Sequence, residues 1–243
     1  NGVQFFSTPF SLDAVDILEE VGVPAYKVAS MDVTFVPLIK KLTALDKPIF
    51  ISTGMATLEE IQIAINHITH PNYALLHCIS LYPPNPENVH LRTIQKLIEK
   101  FQCPIGYSDH TLNNLAALTS VALGASIIEK HFTIDKNLPG PDHKISADTA
   151  ELEQMVFDLR IVEATLGQPC TDNTRSDRKE SLTFRRSIYA AEDIPAGTIL
   201  THSHIKYIRP EAELAPGMDD VILGQKTNLP IAKDTAISLE NFN

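Results

Sequence analysis

The sequence predicts an α/β fold, most of a parallel (β/α)8 barrel, with a small β-rich module behind it. Three observations carry this expectation. Strand-like and helix-like runs alternate repeatedly up to residue 167, several strand-like runs are apolar almost throughout, and the composition shifts abruptly after residue 167. Strands apolar on both faces are those of a parallel sheet covered by helices.

The strand candidates, in order, are "VQFFSTPF", "AYKVAS", "KPIFIST", "YALLHCIS", "CPIGYSD" and "SIIEKHF". Helical spacing falls between them: Leu12, Val15, Ile17 and Leu18; Val36 to Leu42; Leu58 to Ile68; Val89 to Phe101; and Leu112 to Leu123. A last helix, "TAELEQMVFDLRIVEATLG", closes the pattern. Six βα units suit an open doubly wound sheet or most of a barrel. The glycine-rich dinucleotide turn is absent, which favours the barrel. Counting then leaves the barrel two strands short, so the chain is expected to begin inside a longer protein, without its first two βα units. A barrel open by two strands leaves backbone groups unpaired, and the chain alone is expected to be poorly active. The polar stretch from Gln168 reads as a linker over residues 168–182. Residues 183–243 carry short β-prone pieces punctuated by Pro195, Gly197, Pro210, Pro216, Gly217, Gly224 and Pro230, the pattern of a compact module of small strands and turns. The barrel domain is accordingly 1–167.

The chain has 243 residues, 44% of them hydrophobic, and a formal net charge of −10. That balance argues against nucleic-acid and anionic-membrane partners. No run approaches the roughly 18 apolar residues of a membrane helix. Cys78, Cys103 and Cys170 are odd in number and widely spaced, which fits reduced thiols in a cytoplasm.

Every strand candidate ends in polar residues, at the edge where parallel α/β folds place their chemistry. His110 and His131 end two successive strands, and one βα unit brings such positions side by side. Two imidazoles there can share a divalent metal, with positions left for water and substrate oxygens, or make ordinary hydrogen bonds; the residues alone leave both readings open. Lys27 and Lys130 interrupt apolar strands, where an ammonium calls for an anion. Ser30, Ser52, Ser80 and Ser108 stand at strand ends, where hydroxyls can donate to the same anion. A Schiff-base lysine is the rival use of Lys27 or Lys130.

The segments "FFSTPFS", "YKVASMD", "PIFISTGMATLEEI", "CISLYPPNPENVHL", "IGYSDHT", "GASIIEKHFTID" and "GPDHKIS", in this order, resemble the sialic acid synthase family, the N-acetylneuraminate and related nonulosonate synthases. "DIPAGTIL", "YIRP" and "ILGQK" resemble that family's antifreeze-like (SAF) domain. The resemblance spans essentially the whole chain and implies a (β/α)8 TIM barrel whose third to eighth strands are the six seen here.

It further implies an enzyme that condenses phosphoenolpyruvate with an N-acetylated aminosugar aldehyde such as N-acetylmannosamine and releases phosphate. His110 and His131 match the family's ligands for a divalent ion, manganese foremost, with magnesium or cobalt as alternatives. Lys27, Ser30, Ser52 and Ser108 match residues that hold phosphoenolpyruvate, Ser80 stands where some members have asparagine, and Lys130 is carried as a further substrate-binding residue. Tyr82 and Asp142 match residues near the sugar. Asp32 stands where many members carry a glutamate that handles protons or water. Arg209 matches an arginine that reaches the partner subunit's site in a domain-swapped homodimer. Two other classes remain as alternatives: a different metal-dependent barrel aldolase or lyase, and a truncated relative that only binds.

Overall fold

The computed structural model describes residues 2–171 and 175–242, and the chain divides into two compact units, Asn1–Gly167 and Gln168–Asn243. In the first unit five strands, β1 (Tyr26–Val28), β2 (Ile49–Ser52), β3 (Tyr73–Cys78), β4 (Ile105–Asp109) and β5 (Ile128–Lys130), form one curled parallel sheet in sequence order. The helices are α1 (Leu12–Val21), α2 (Val36–Thr43), α3 (Leu58–Ile65), α4 (Thr93–Lys100), α5 (Leu115–Ala122) and α6 (Thr149–Leu166). Their starts follow from local chemistry. Thr57 caps α3 in a box with Glu60, and Asp148 caps α6 in a box with Glu151, so each box satisfies two backbone donors that the helix itself cannot. Helix α1 starts at the Ser11 hydroxyl and stops at Gly22, whose φ of 78° is open to glycine at no steric cost.

Strand alternation decides what faces where. Tyr26 and Val28, Ile49 and Ile51, Tyr73 and Leu75, Ile105 and Tyr107, and Ile128 join Val15, Leu38, Ile39, Leu42, Ile61, Ile94 and Leu97 in one core between sheet and helices. Their neighbours in sequence, Lys27, Phe50, Ser52, Cys78, Ser108 and Glu129, therefore occupy the other, inner face. The core buries Leu38, Leu42 and Leu75 completely, so truncating any one of them to alanine costs about 2–5 kcal/mol.

One strand expected from the sequence does not form. "VQFFSTPF" contributes a single parallel bridge, Ser7 to Tyr26, with Val3, Phe5 and Phe6 exposed. It lies at the sheet's edge beyond β1, where a ladder has a partner on one side only. At the opposite edge the chain leaves β5 and pairs instead with a later segment through a Phe132–Ala147 bridge.

In the second unit β6 (Ser187–Ala190) and β7 (Ile205–Ile208) pair antiparallel, with short helices α7 (Ser181–Phe184) and α8 (Asp219–Ile222). Its separate core is built from Ile188, Ile194, Leu200, Leu214, Ile222, Ile231 and Ile237. The segment expected as a linker, residues 168–182, already enters a 3-10 turn at Arg178–Glu180 and the start of α7, while its residues 172–174 lie outside the described residues. Among the described residues no helix is long and apolar enough to cross a membrane.

Candidate active site at the carboxyl edge of the parallel sheet

His110 is the first residue beyond β4, and His131 the first beyond β5. Asp109 and Lys130 are register partners, so the two histidines leave adjacent strands at the same level. Their ring centroids are 5.2 Å apart and the planes meet at 69°. Tyr82, from the loop after β3, closes the group at 4.1 Å from the His110 ring and 5.7 Å from the His131 ring.

Each imidazole turns Nδ1 toward a protein partner. His110 Nδ1 donates to the Ile79 carbonyl at 2.9 Å, and the Cys78 sulfur lies 3.9 Å from the same nitrogen. His131 Nδ1 faces an Asp142 carboxylate oxygen at 3.7 Å. Because a carbonyl only accepts, the neutral His110 ring carries its proton on Nδ1 and its lone pair on Nε2, the arrangement in which outer-shell bonds orient a metal-binding imidazole. Burial pushes the His110 pKa down, but the Cys78 and Ile79 contacts outweigh it and leave it raised. Burial and then the neighbouring His110 lower that of His131, against the pull of Asp142 and Glu129. His131 is thus biased toward the neutral form that ligates. Among the described residues no group of three or more histidine, cysteine, aspartate or glutamate side chains is arranged to hold a metal ion. The residues here that could serve as donors to a divalent ion are the two imidazoles, whose centroids lie 5.2 Å apart.

Beside the rings, Lys27 of β1 is buried with its ammonium 3.4 Å from the Glu129 carboxylate, and the Ser108 hydroxyl donates to the other Glu129 oxygen at 2.7 Å. Three loops meet at Gly54, just past β2. Its N–H donates to the Ser30 hydroxyl at 3.0 Å, and a Cβ there would lie 2.5 Å from the Ser80 oxygen, 2.8 Å from the Ser30 oxygen and 3.2 Å from the Cys78 sulfur. Ser30, already accepting from Gly54, also bonds the Cys78 sulfur. Among the described residues the buried Ser52 hydroxyl has no hydrogen-bond partner, and the same holds for one carboxylate oxygen of Asp32, on the Ser30–Asp32 turn after β1. Burial raises the Asp32 pKa. An orphaned buried hydroxyl is costly unless something it can bond arrives.

Of the residues singled out from sequence, Tyr82, His110, His131 and Asp142 form one contact group, which Cys78 and Gly54 connect to Ser30 and Ser80. Lys27 and Ser108 join at Glu129, whose charge bears on both histidines. Lys130 lies elsewhere. Adjacent to Glu129 and His131 in an extended strand, it must face the helix side, where its ammonium meets Asp109 at 2.7 Å and the carbonyls of Thr111 at 2.7 Å and Asn113 at 3.2 Å. All three of its donors are engaged there. Arg209 belongs to the second unit, where its Nε donates to the Phe184 carbonyl. Glu129 and Gly54 are the residues that sequence reasoning missed. Parity within "IEKHF" exposes the first, since residues two apart share a face, whereas the second is legible only from the loops packed around it.

The NeuB family model matches residues 1–171, and the SAF domain model matches residues 185–243. The chain is 38% identical over 228 residues to the N,N'-diacetyllegionaminic acid synthase of Campylobacter jejuni, covering 92% of this chain and 68% of that one. It is 36% identical over 240 residues to the pseudaminic acid synthase of Helicobacter pylori, covering 98% and 71%. Among solved structures, the N-acetylneuraminic acid (sialic acid) synthetase of Leptospira borgpetersenii, in complex with citrate, superposes with a TM-score of 0.70 at 36% identity, over 73% of this chain and 63% of that one.

Proposed function

The chain belongs to the NeuB family, and from that premise we propose that it condenses phosphoenolpyruvate with an N-acetylated aminosugar aldehyde to give a nonulosonic acid and phosphate. The observation that carries this reading is the pair of imidazoles 5.2 Å apart beside the Lys27, Glu129 and Ser108 cluster, at the carboxyl edge of a parallel sheet. We read that sheet as part of a (β/α)8 barrel, and the protein as a cytoplasmic enzyme.

His110 and His131 would hold the divalent ion, manganese in this reading, which would supply Lewis-acid polarisation of the open-chain sugar's aldehyde oxygen. Lys27, Ser30, Ser52, Ser80 and Ser108 receive the phosphate and carboxylate oxygens of phosphoenolpyruvate, which gives the Ser52 hydroxyl the partner it lacks. Charge-assisted bonds from an ammonium and hydroxyls orient the enol carbon toward the aldehyde. Asp142, already against His131, accepts from a sugar hydroxyl, and Tyr82 forms the wall against which the sugar rests. Asp32, with its raised pKa, is the proton-handling group for the water that adds before phosphate leaves by C–O cleavage. Arg209 is the residue that the SAF domain contributes to a partner subunit's site in a domain-swapped homodimer.

The test is phosphate release from phosphoenolpyruvate with a panel of N-acetylated aminosugars, with manganese and after chelation. Release that needs both the sugar and the ion is expected, and His131→Ala is expected to lose it while its circular dichroism is unchanged. Metal-independent release, or unchanged turnover in His131→Ala, would overturn the assignment.

A further inference from the structure

Each histidine follows a charged residue, Asp109 before His110 and Lys130 before His131, and the signs are opposite. The backbone register between β4 and β5 ends at that pair. One residue further on, the ladder no longer joins the two chains, because the His131 carbonyl accepts from Ala147 N–H at 2.8 Å and Thr133 N–H donates to the Ala147 carbonyl at 2.9 Å. Backbone pairing with β4 therefore sets the level at which the two histidines leave their strands but stops one residue short of them, leaving the separation and tilt of the rings to other contacts.

What spans the two strands at this level is the ion pair on the opposite face. The Lys130 and Asp109 side chains are 4% and 0% exposed, respectively, and the ammonium lies 2.7 Å from the carboxylate. Asp109 spends its second oxygen on the Thr111 N–H at 2.9 Å, and Lys130 its other donors on the carbonyls of Thr111 and Asn113. The turn that follows His110 is thereby tied to the residue that precedes His131. We propose that Asp109 and Lys130 are positioning residues: their pair fixes the separation and tilt of the two imidazoles on the inner face and so sets the affinity of the site for a divalent ion. This rests on the reading of His110 and His131 as the ion's ligands, but the ring geometry can be measured without the ion.

A brace of this kind acts on the donor set as outer-shell partners do, and its loss lowers metal affinity by about 10–100-fold. Removing one partner leaves a buried charge uncompensated and threatens folding, whereas the paired apolar replacement Asp109→Leu with Lys130→Met removes both charges together. The full chain and this double variant are compared by two measurements. With histidine-selective labelling, the nuclear Overhauser contact between the His110 and His131 ring protons is expected in the parent and lost in the folded variant. Titration with manganese, following free ion by electron paramagnetic resonance, is expected to show affinity at least about tenfold weaker in the variant. Lys130→Arg, which keeps the charge, should retain the ring contact. A folded double variant that keeps the parent's ring contact overturns the proposal, whatever its metal affinity. If the parent itself takes up no manganese, the metal reading falls, and the ring contact still decides the positioning role.

Discussion

Gly54→Ala is the sharpest single perturbation of the carboxyl edge of the parallel sheet. The new methyl would meet the Ser80 and Ser30 oxygens at 2.5 and 2.8 Å and the Cys78 sulfur at 3.2 Å, all inside normal contact distance. Gly54 is not among the residues with positive φ, so alanine brings no backbone strain and instead lowers unfolded-chain entropy, a gain of about 0.4–1 kcal/mol. Overpacking costs about 1–3 kcal/mol. The net loss of stability therefore lies between about zero and about 2.6 kcal/mol. The crowded atoms all sit one rotatable bond from the backbone, so the chain yields by swinging them away, not by unfolding. Each hydroxyl lost from a charged ligand forfeits about 1.5–3 kcal/mol, so the KM for phosphoenolpyruvate should rise at least about tenfold. Urea denaturation gives the first quantity and steady-state phosphate release the second. Adding Ser80→Ala removes the closest clash and should restore stability without restoring affinity. A Gly54→Ala enzyme with the parent's KM would refute the reasoning.

Asp32→Asn should stabilise the protein at neutral pH while abolishing turnover. The raised pKa of Asp32 means that the folded state holds a proton the unfolded chain has released, so its contribution to stability falls as pH rises above the ordinary 3.8. The difference in urea midpoint between variant and parent should accordingly grow from near pH 4 upward to a plateau. His77 works in the opposite sense: buried on the helix side, stacked on Tyr107 and bonded to the Val89 carbonyl at 2.8 Å, it has a pKa lowered first by that burial. Stability should then fall as pH drops through 6.5, and His77→Gln should flatten that slope in urea titrations at pH 7.5 and 5.5.

The alternating pattern of the first unit was legible because strands buried on both faces and amphipathic helices leave different periods in the sequence. All five later runs, from "AYKVAS" to "SIIEKHF", formed strands. The edge run "VQFFSTPF" has the same apolar signature, but composition does not reveal whether a neighbour is there to pair with it. The rings of His110 and His131 meet because both end adjacent parallel strands, a relation that spacing by one βα unit conveys. Lys130 interrupts an apolar strand, which in sequence alone suggests that it faces a substrate. Counting parity from His131 turns it to the other side, where Asp109 explains its burial. Glu129 escaped notice because a carboxylate at a strand end is unremarkable until Lys27 and Ser108 are seen converging on it. Gly54 escaped because close approach of three loops leaves no trace in any one of them.

The salt link between Lys27 and Glu129 bears on how this edge is loaded. Lys27 and Ser108, two of the groups suited to an incoming anion, already serve a resident carboxylate. A ligand bearing several negative charges must displace that carboxylate or arrive with a counter-ion that compensates it. Occupation is thus an exchange of one acid for another at a shared ammonium, and any affinity measured there is a difference between two rivals, not the strength of either alone.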